Sequence, residues 1–388
     1  MSEIQDFRLS AEDKIDALTK ELHSLHIRDT GREVANRREV RNQQRQLVLN
    51  QLSAPNYRED YEHAAQPRRQ GTSGNWVLSE PAFKEWSDLE STSHKALYLS
   101  GIPGSGRRNV PNNAQTSDRG TGKTVLTSGI ISHLENLKLR KEAHGKEISV
   151  LYFYFKHSQS EKRTLKGMLL GLISQLLNQD DIVADLVYQG YSSSDQAFCS
   201  QDRLSGLATT CLKSQRLCFI ILDGLDECAE AAEDDVIREE ASVIDWFEAL
   251  ISGDGSDSPE DVGFNIRLLI SGQRDGFLDK RLLSYLSIQL ETNSGHQGDI
   301  RAYARAKCTE ISAKFRLSTD QLNETVERVT EGARGEFLFN LCFYVSNSTL
   351  GMFLYSKVVL NNLLAQISPY YLKRELSTDN FPKGLDQA

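Results

Sequence analysis

The 388-residue chain has little basic excess: 45 Lys and Arg stand against 54 Asp and Glu, a formal charge of −9. A chain of that balance is not built to coat a polyanion, so neither nucleic acid nor an anionic membrane is an expected partner. Its six cysteines (199, 211, 218, 228, 308 and 342) include no C-x-x-C pair. That argues against a structural zinc site or a disulfide framework and fits a reducing, cytoplasmic setting. The first residues, MSEIQDF, are acidic and carry no apolar run, so no secretory signal is expected. Long apolar runs are scarce as well. The most apolar stretch, Phe337–Tyr355, is interrupted by Asn340 and by the polar cluster Ser346-Asn-Ser-Thr349. A span needs about 20 mostly apolar residues, so this stretch is not expected to cross a membrane. Three reactive signatures are also missing: G-x-S-x-G, H-E-x-x-H and the guanine-reading N-K-x-D. The first two absences leave no support for a serine or zinc hydrolase, and the third lowers the case for a GTPase.

What is present alternates. Ala96–Ser100, Ile148–Phe155, Leu217–Leu222 and Ile266–Ile270 are short apolar runs rich in β-prone residues, and the segments Val125–Leu139 and Leu165–Leu177 between them have the length and apolar content of helices. Strands alternating with helices predict a parallel α/β sheet covered on both faces. Before it, residues 11–27 place Ile15, Leu18, Leu22, Leu25 and Ile27 at largely helical spacing, and residues 28–50 read as a solvated helical or coiled-coil-like arm. The domain boundaries predicted are a helical segment over 1–53, a linker over 54–75, the α/β domain over 76–285 and a helical extension over 286–388. Glu230–Glu240 and Gly253–Asp261 read as surface excursions. The second has the composition of a calcium loop without its ligand spacing.

The chemistry concentrates at the ends of the strands. A phosphate-binding loop needs a strand, a glycine-rich turn, a lysine for the β and γ phosphates and a Ser or Thr for Mg²⁺. Here the run GIPGSGRRNVPNNAQTSDRGTGKTVL holds the parts but not in one piece. Gly101 and Gly104 open it; Gly122, Lys123 and Thr124 close it. Omitting 105–120 gives GIPGTGKT and omitting 107–122 gives GIPGSGKT, each a complete motif with 16 residues surplus. The strand Leu217–Leu222 ends in Asp223-Gly-Leu-Asp-Glu-Cys228. An apolar strand ending in Asp suits the carboxylate that orders Mg²⁺, which makes Asp223 and Thr124 the metal residues. Asp226 and Glu227 follow within a turn, as candidates to polarise an attacking water. Arg274, after the strand Ile266–Ile270, is a candidate sensor of the γ-phosphate; the plain alternative is a surface salt-bridge arginine.

Taken together, Gly-Ile-Pro-Gly…Gly-Lys-Thr, Asp-Gly-Leu-Asp-Glu and Ser-Gly-Gln-Arg-Asp resemble the NACHT-type P-loop NTPases of filamentous fungi, whose nucleotide domain is also described as nephrocystin-3-like. Gly71–Leu78, Phe83–Trp86, Ser287–Glu291 with His296, Asp299–Tyr303 and Gly351–Gln366 look like further parts of that family. The resemblance covers roughly residues 70–388. It implies a three-layer P-loop fold, an ATP/ADP-dependent signalling switch with Mg²⁺, slow hydrolysis, self-association through the NTPase domain, and a link to non-self recognition or programmed cell death. The departures are the insertion inside the phosphate loop, a second insertion over 336–350, and an end at Ala388, where the family continues into winged-helix and repeat regions. Two in-phase insertions inside motifs are the pattern of retained introns. The competing expectation is a non-enzymatic scaffold whose interrupted loop binds nucleotide poorly.

Overall fold

The computed structural model describes residues 36, 38–69, 74–89, 94–101, 122–142, 147–192, 200–228, 238–252, 265–274, 276–334, 352–377 and 380–382. At its centre is a parallel sheet of β1 (Ala96–Gly101), β2 (Ser149–Tyr154), β3 (Leu217–Asp223), β4 (Asn265–Gln273) and β5 (Leu286–Gln289). The order across it is β2-β3-β4-β1-β5, so β4 lies between β1 and β3. The three strands at the centre of this order, β3, β4 and β1, are buried on nearly every residue, as strands covered on both sides must be.

Side chains alternate between two cores. The helices α1 (38–52), α2 (Tyr57–Arg69) and α3 (Pro81–Ser87) precede the sheet in the chain, and α4 (Lys123–Glu142) follows β1; Leu97 and Leu99 of β1 join Ile130 and Leu134 of α4. Phe83 and Trp86 of α3 complete that layer. Tyr98 points the other way, into a layer built from α5 (Leu165–Gln179), α6 (Asp181–Ser192), α7 (Gln201–Lys213), α8 (Glu239–Ser252) and α9 (Phe277–Arg281). The expected three-layer α/β fold is therefore what the chain forms. Trp86 anchors it: the ring is fully buried, meets Phe83 at a tilt and Phe219 edge-on, and donates from Nε1 to the Leu268 carbonyl at 3.0 Å. Trp86→Ala is expected to cost about 3–5 kcal/mol of stability, the range for large-to-small changes at buried aromatics, read as a lower urea midpoint at unchanged slope.

Beyond the sheet, α10 (Ser294–Phe315), α11 (Thr319–Arg334), α12 (Met352–Ala365) and α13 (Pro369–Glu375) share a third core of Ile300, Cys308, Val329, Tyr355 and Leu363. This is the expected helical extension, but it starts later than residue 286. Leu286–Gln289 is a fifth strand, paired with β1. Its sequence, LSIQ, is too short and too polar to announce itself.

Two N-terminal expectations are corrected. Most of the predicted linker is α2, which buries Asp60, Ala64 and Ala65. The solvated arm is α1, whose far end is not solvated: Val48 and Leu52 are buried in the α5–α8 core, and Arg41 and Arg45 pair with Asp181 and Asp185 of α6. The excursion at Glu230–Glu240 is corrected at its end, because Glu239 and Glu240 open α8 and Glu240 is fully buried. Residues 11–27, Gly253–Asp261, Gly104, the inserted stretch 105–120 and the stretch 336–350 lie outside the described residues. Among the described residues no helix is long and apolar enough to cross a membrane.

Candidate functional site

All five strands run the same way, so their C-terminal ends share one edge of the sheet. Ligands of open α/β sheets bind at such an edge, where neighbouring connections diverge. β1 and β3 both end there, and β4 between them brings a third set of residues to the same place.

β1 ends at Gly101 and α4 begins at Lys123, yet these two ends meet. Lys123 Nζ is 3.6 Å from where a β-carbon on Gly101 would stand, an ordinary contact distance, so the ammonium lies against the end of β1. Gly122 turns the chain into α4 with φ +65, a left-handed conformation that glycine adopts without penalty, and its carbonyl accepts from Leu126 N at 2.9 Å. A β-carbon on Gly122 would be 3.2 Å from His296 Cε1 of α10. The helical extension therefore sits directly on the start of α4.

Lys123 is 4% exposed, and its Nζ has no hydrogen-bond partner among the described residues. Burial pushes its pKa down, against the pull of Asp226, Asp223, Glu291 and Glu227. A buried, unpaired ammonium at a helix N-terminus is costly, and it persists where a ligand supplies the missing partner. His296 feels the same charge: burial and Lys123 together hold its pKa at about 4, so the imidazole is neutral near pH 7.

The carboxylates gather opposite. Asp223 ends β3, buried, and accepts from Thr127 Oγ1 at 3.1 Å, from Ser271 Oγ and from the Thr124 hydroxyl. Burial raises its pKa and the three hydroxyls oppose that shift. Gly224, at φ +73, reverses the chain and donates its N–H to Ser271 Oγ at 3.0 Å. Asp226 and Glu227 then lie on a short 3-10 turn, Leu225–Cys228. Asp226 is buried and accepts from Gln273 N at 2.9 Å; burial raises its pKa, and Lys123 opposes that. Glu227 is half-buried and accepts from His157 N at 2.9 Å. Burial lifts its pKa to about 7, with Asp226 and Asp223 adding to the rise.

The structure thus brings together Gly101, Gly122, Lys123, Thr124, Asp223, Asp226 and Glu227. It treats Arg274 differently. Its backbone N–H donates to Gly101 O at 3.2 Å, but its guanidinium is held by Glu291 Oε1 at 2.8 Å and Asp279 Oδ1 at 3.4 Å. Among these contacts it is a salt-bridged arginine, the plainer of its two readings. His296 and Ser271 were not singled out as site residues in the sequence, because nothing in their spacing announces that they face Gly122 and Asp223.

The residues fit a Mg-nucleotide. An unpaired Lys123 Nζ and the N–H groups opening α4 suit phosphate oxygens. Among the described residues no three His, Cys, Asp or Glu side chains form a metal cage. Mg²⁺ does not need one, since it takes one or two protein oxygens and completes its shell with phosphate and water. Asp223 and Thr124 can supply those protein oxygens.

Residues 115–271 match the family described as Nephrocystin 3, N-terminal, so the chain carries a nephrocystin-3-like domain. The match starts beyond β1 and ends in β4, and it includes Gly122–Thr124 and Asp223–Glu227. Among solved structures, one described as "Structure of C. elegans PCH-2" is 12% identical, with 62% of this chain and 70% of that one covered at a TM-score of 0.22. A likeness this low carries no argument about fold or function. None of the curated proteins matches this chain.

Proposed function

We propose that the protein is a nucleotide-dependent switch of the NACHT class, binding ATP or ADP with Mg²⁺ at the sheet edge and hydrolysing ATP slowly. The observation that carries this reading is the buried, unpaired Lys123 ammonium at the start of α4, facing Gly101 and the carboxylates of the β3 loop. A bound nucleotide would supply the transferable γ-phosphoryl group, with Mg²⁺ neutralising its charge. The chain's own parts then divide the work. The α4 N–H groups and Lys123 hold phosphate oxygens. Thr124 and Asp223 offer the metal ligands. Glu227, with a pKa near neutrality, takes a proton from water. His296, neutral and packed against Gly122, ties the helical extension to the loop that would hold the phosphates. The family resemblance gives non-self recognition or cell death as the biological setting, and the scattered cysteines give the cytoplasm as its place.

The inserted residues set the affinity. Lengthening a loop costs little closure entropy, about 0.6 kcal/mol per doubling, which is why the ends of β1 and α4 still meet. A phosphate loop also needs consecutive N–H groups converging on one phosphate, and the insertion separates Gly101 from Gly122. Titration with Mg-ATP by calorimetry is the test. A chain lacking 105–120 should bind at least about tenfold tighter than the full chain, which keeps residual binding through Gly122–Thr124. Equal, tight affinity would make the insertion a tolerated surface loop. No binding by either chain would sink the nucleotide reading and leave a folded scaffold.

A further inference from the structure

The amide that holds Glu227 is itself held from a distance. It belongs to His157, in the turn 155–162 after β2. That turn is closed on itself by Lys156 N to Lys162 O at 3.2 Å, Gln159 N to Lys156 O at 3.1 Å and Lys162 N to Gln159 O at 2.9 Å. One side of it grips the acidic loop. Phe155 N donates to Asp223 O at 2.8 Å, and His157 N donates to Glu227 Oε2.

The other side is gripped by α2. Asp60, in the first turn of that helix, is 4% exposed. One of its carboxylate oxygens pairs with Lys156 and the other with Lys162. Lys162 is buried too and also donates to Asn56 O at 2.9 Å. The two lysines stand at the two ends of the closed turn, so one carboxylate clamps both. The rest of α2 is docked beside it: Ser128 Oγ of α4 donates to Ala64 O at 3.2 Å, and Tyr57 and Tyr61 pack on Tyr152.

We infer that Asp60 is a positioning residue for Glu227, acting through the Lys156–Lys162 turn and the His157 amide. α2 thereby sets where the Glu227 carboxylate stands. Buried ion pairs suit this task because they are costly to leave half-made, so the turn and the helix move together or not at all. Glu227 has one oxygen committed to a backbone amide. Its other oxygen is directed by that commitment.

The consequence for hydrolysis rests on the nucleotide reading of the previous subsection; the mechanical link does not. The test therefore uses two readouts on the full chain, with Asp60→Asn and, separately, the milder Lys156→Gln at a more exposed lysine. In hydrogen exchange, residues 155–162 and 225–228 should exchange about tenfold faster in both variants, with β3 and α5 unchanged. In ATP turnover, each variant should lose about tenfold at unchanged Mg-ATP affinity, and the loss should vanish when Glu227 is already Gln. Unchanged exchange, exchange raised across the whole sheet in both variants, or an equal drop with and without Glu227 would overturn the inference. If the wild-type chain takes up no Mg-ATP, the nucleotide reading falls, and exchange alone decides whether α2 holds the Glu227 loop.

Discussion

Lys123→Ala is expected to abolish measurable ATP binding in the chain lacking 105–120, a loss of about 2–5 kcal/mol or at least ~30-fold in Kd. The size follows from burial. Lys123 is almost wholly enclosed and unpaired, so its ammonium has little water to give up when a phosphate arrives. An exposed lysine in the same contact would contribute far less. The fold should tolerate the change. Burial disfavours the charged form of Lys123 more than the four surrounding carboxylates favour it. Removing the side chain takes away a group that the native state holds at a cost, but also the counter-charge of Asp226 and the packing of a buried stem; the effects oppose one another, and the melting midpoint should change little. Lost binding with a little-changed midpoint is the expected pair of results. Retained affinity in Lys123→Ala would remove the phosphate role.

Glu227→Gln should spare Mg-ATP binding and slow hydrolysis by about 10²–10⁴-fold, the usual contribution of a positioned base. The same carboxylate sets the pH dependence. Its pKa lies above the ordinary carboxylate value, at about 7, chiefly because of burial. It accepts a proton from water only when ionised. The wild-type rate should therefore fall as pH drops below about 7 and level off above it, and the residual rate of Glu227→Gln should lack that limb. Asp223→Asn should behave differently, weakening Mg-ATP binding itself, because its carboxylate, which accepts from Thr124, Thr127 and Ser271, is the proposed metal ligand. A pH-independent wild-type rate across this range would take the base role away from Glu227.

The central strands were legible because burial on both faces leaves apolar runs in the sequence. Leu217-Cys-Phe-Ile-Ile-Leu222 could be little else, and it is β3. The Gly-Lys-Thr and Asp-Gly-Leu-Asp-Glu residues were legible for a different reason: each is short, local and chemically specific. What escaped depends on contacts between distant segments. α2 carries Pro67 and many charges, and the burial of Asp60 only makes sense once Lys156 and Lys162 are placed against it. β5 is four residues long and half polar, and its pairing with β1 makes it a strand. Arg274 follows a strand as a phosphate sensor would, yet Glu291, 17 residues away, claims its guanidinium together with the nearby Asp279. His296 shows the same limit, since its closeness to Gly122 joins segments far apart in the sequence.

The place of β4 between β1 and β3 has a consequence for how the protein is made. β1 is the first of the described strands to leave the ribosome, but both its neighbours come later: Ala96 pairs with Leu268 and Leu97 with Leu286. Roughly 170 residues must be synthesised before the first of these contacts is available, which at about 5–20 residues per second is on the order of 10–30 s. During that interval the nascent chain holds an apolar strand with two bare edges, ending at the glycine that Lys123 will face. β2 and β3 can pair with each other in the meantime. Assembly of the sheet edge therefore waits for the insertion of one strand between two others, a late and non-local step. A nascent chain in that position is one that a holding chaperone would be expected to meet.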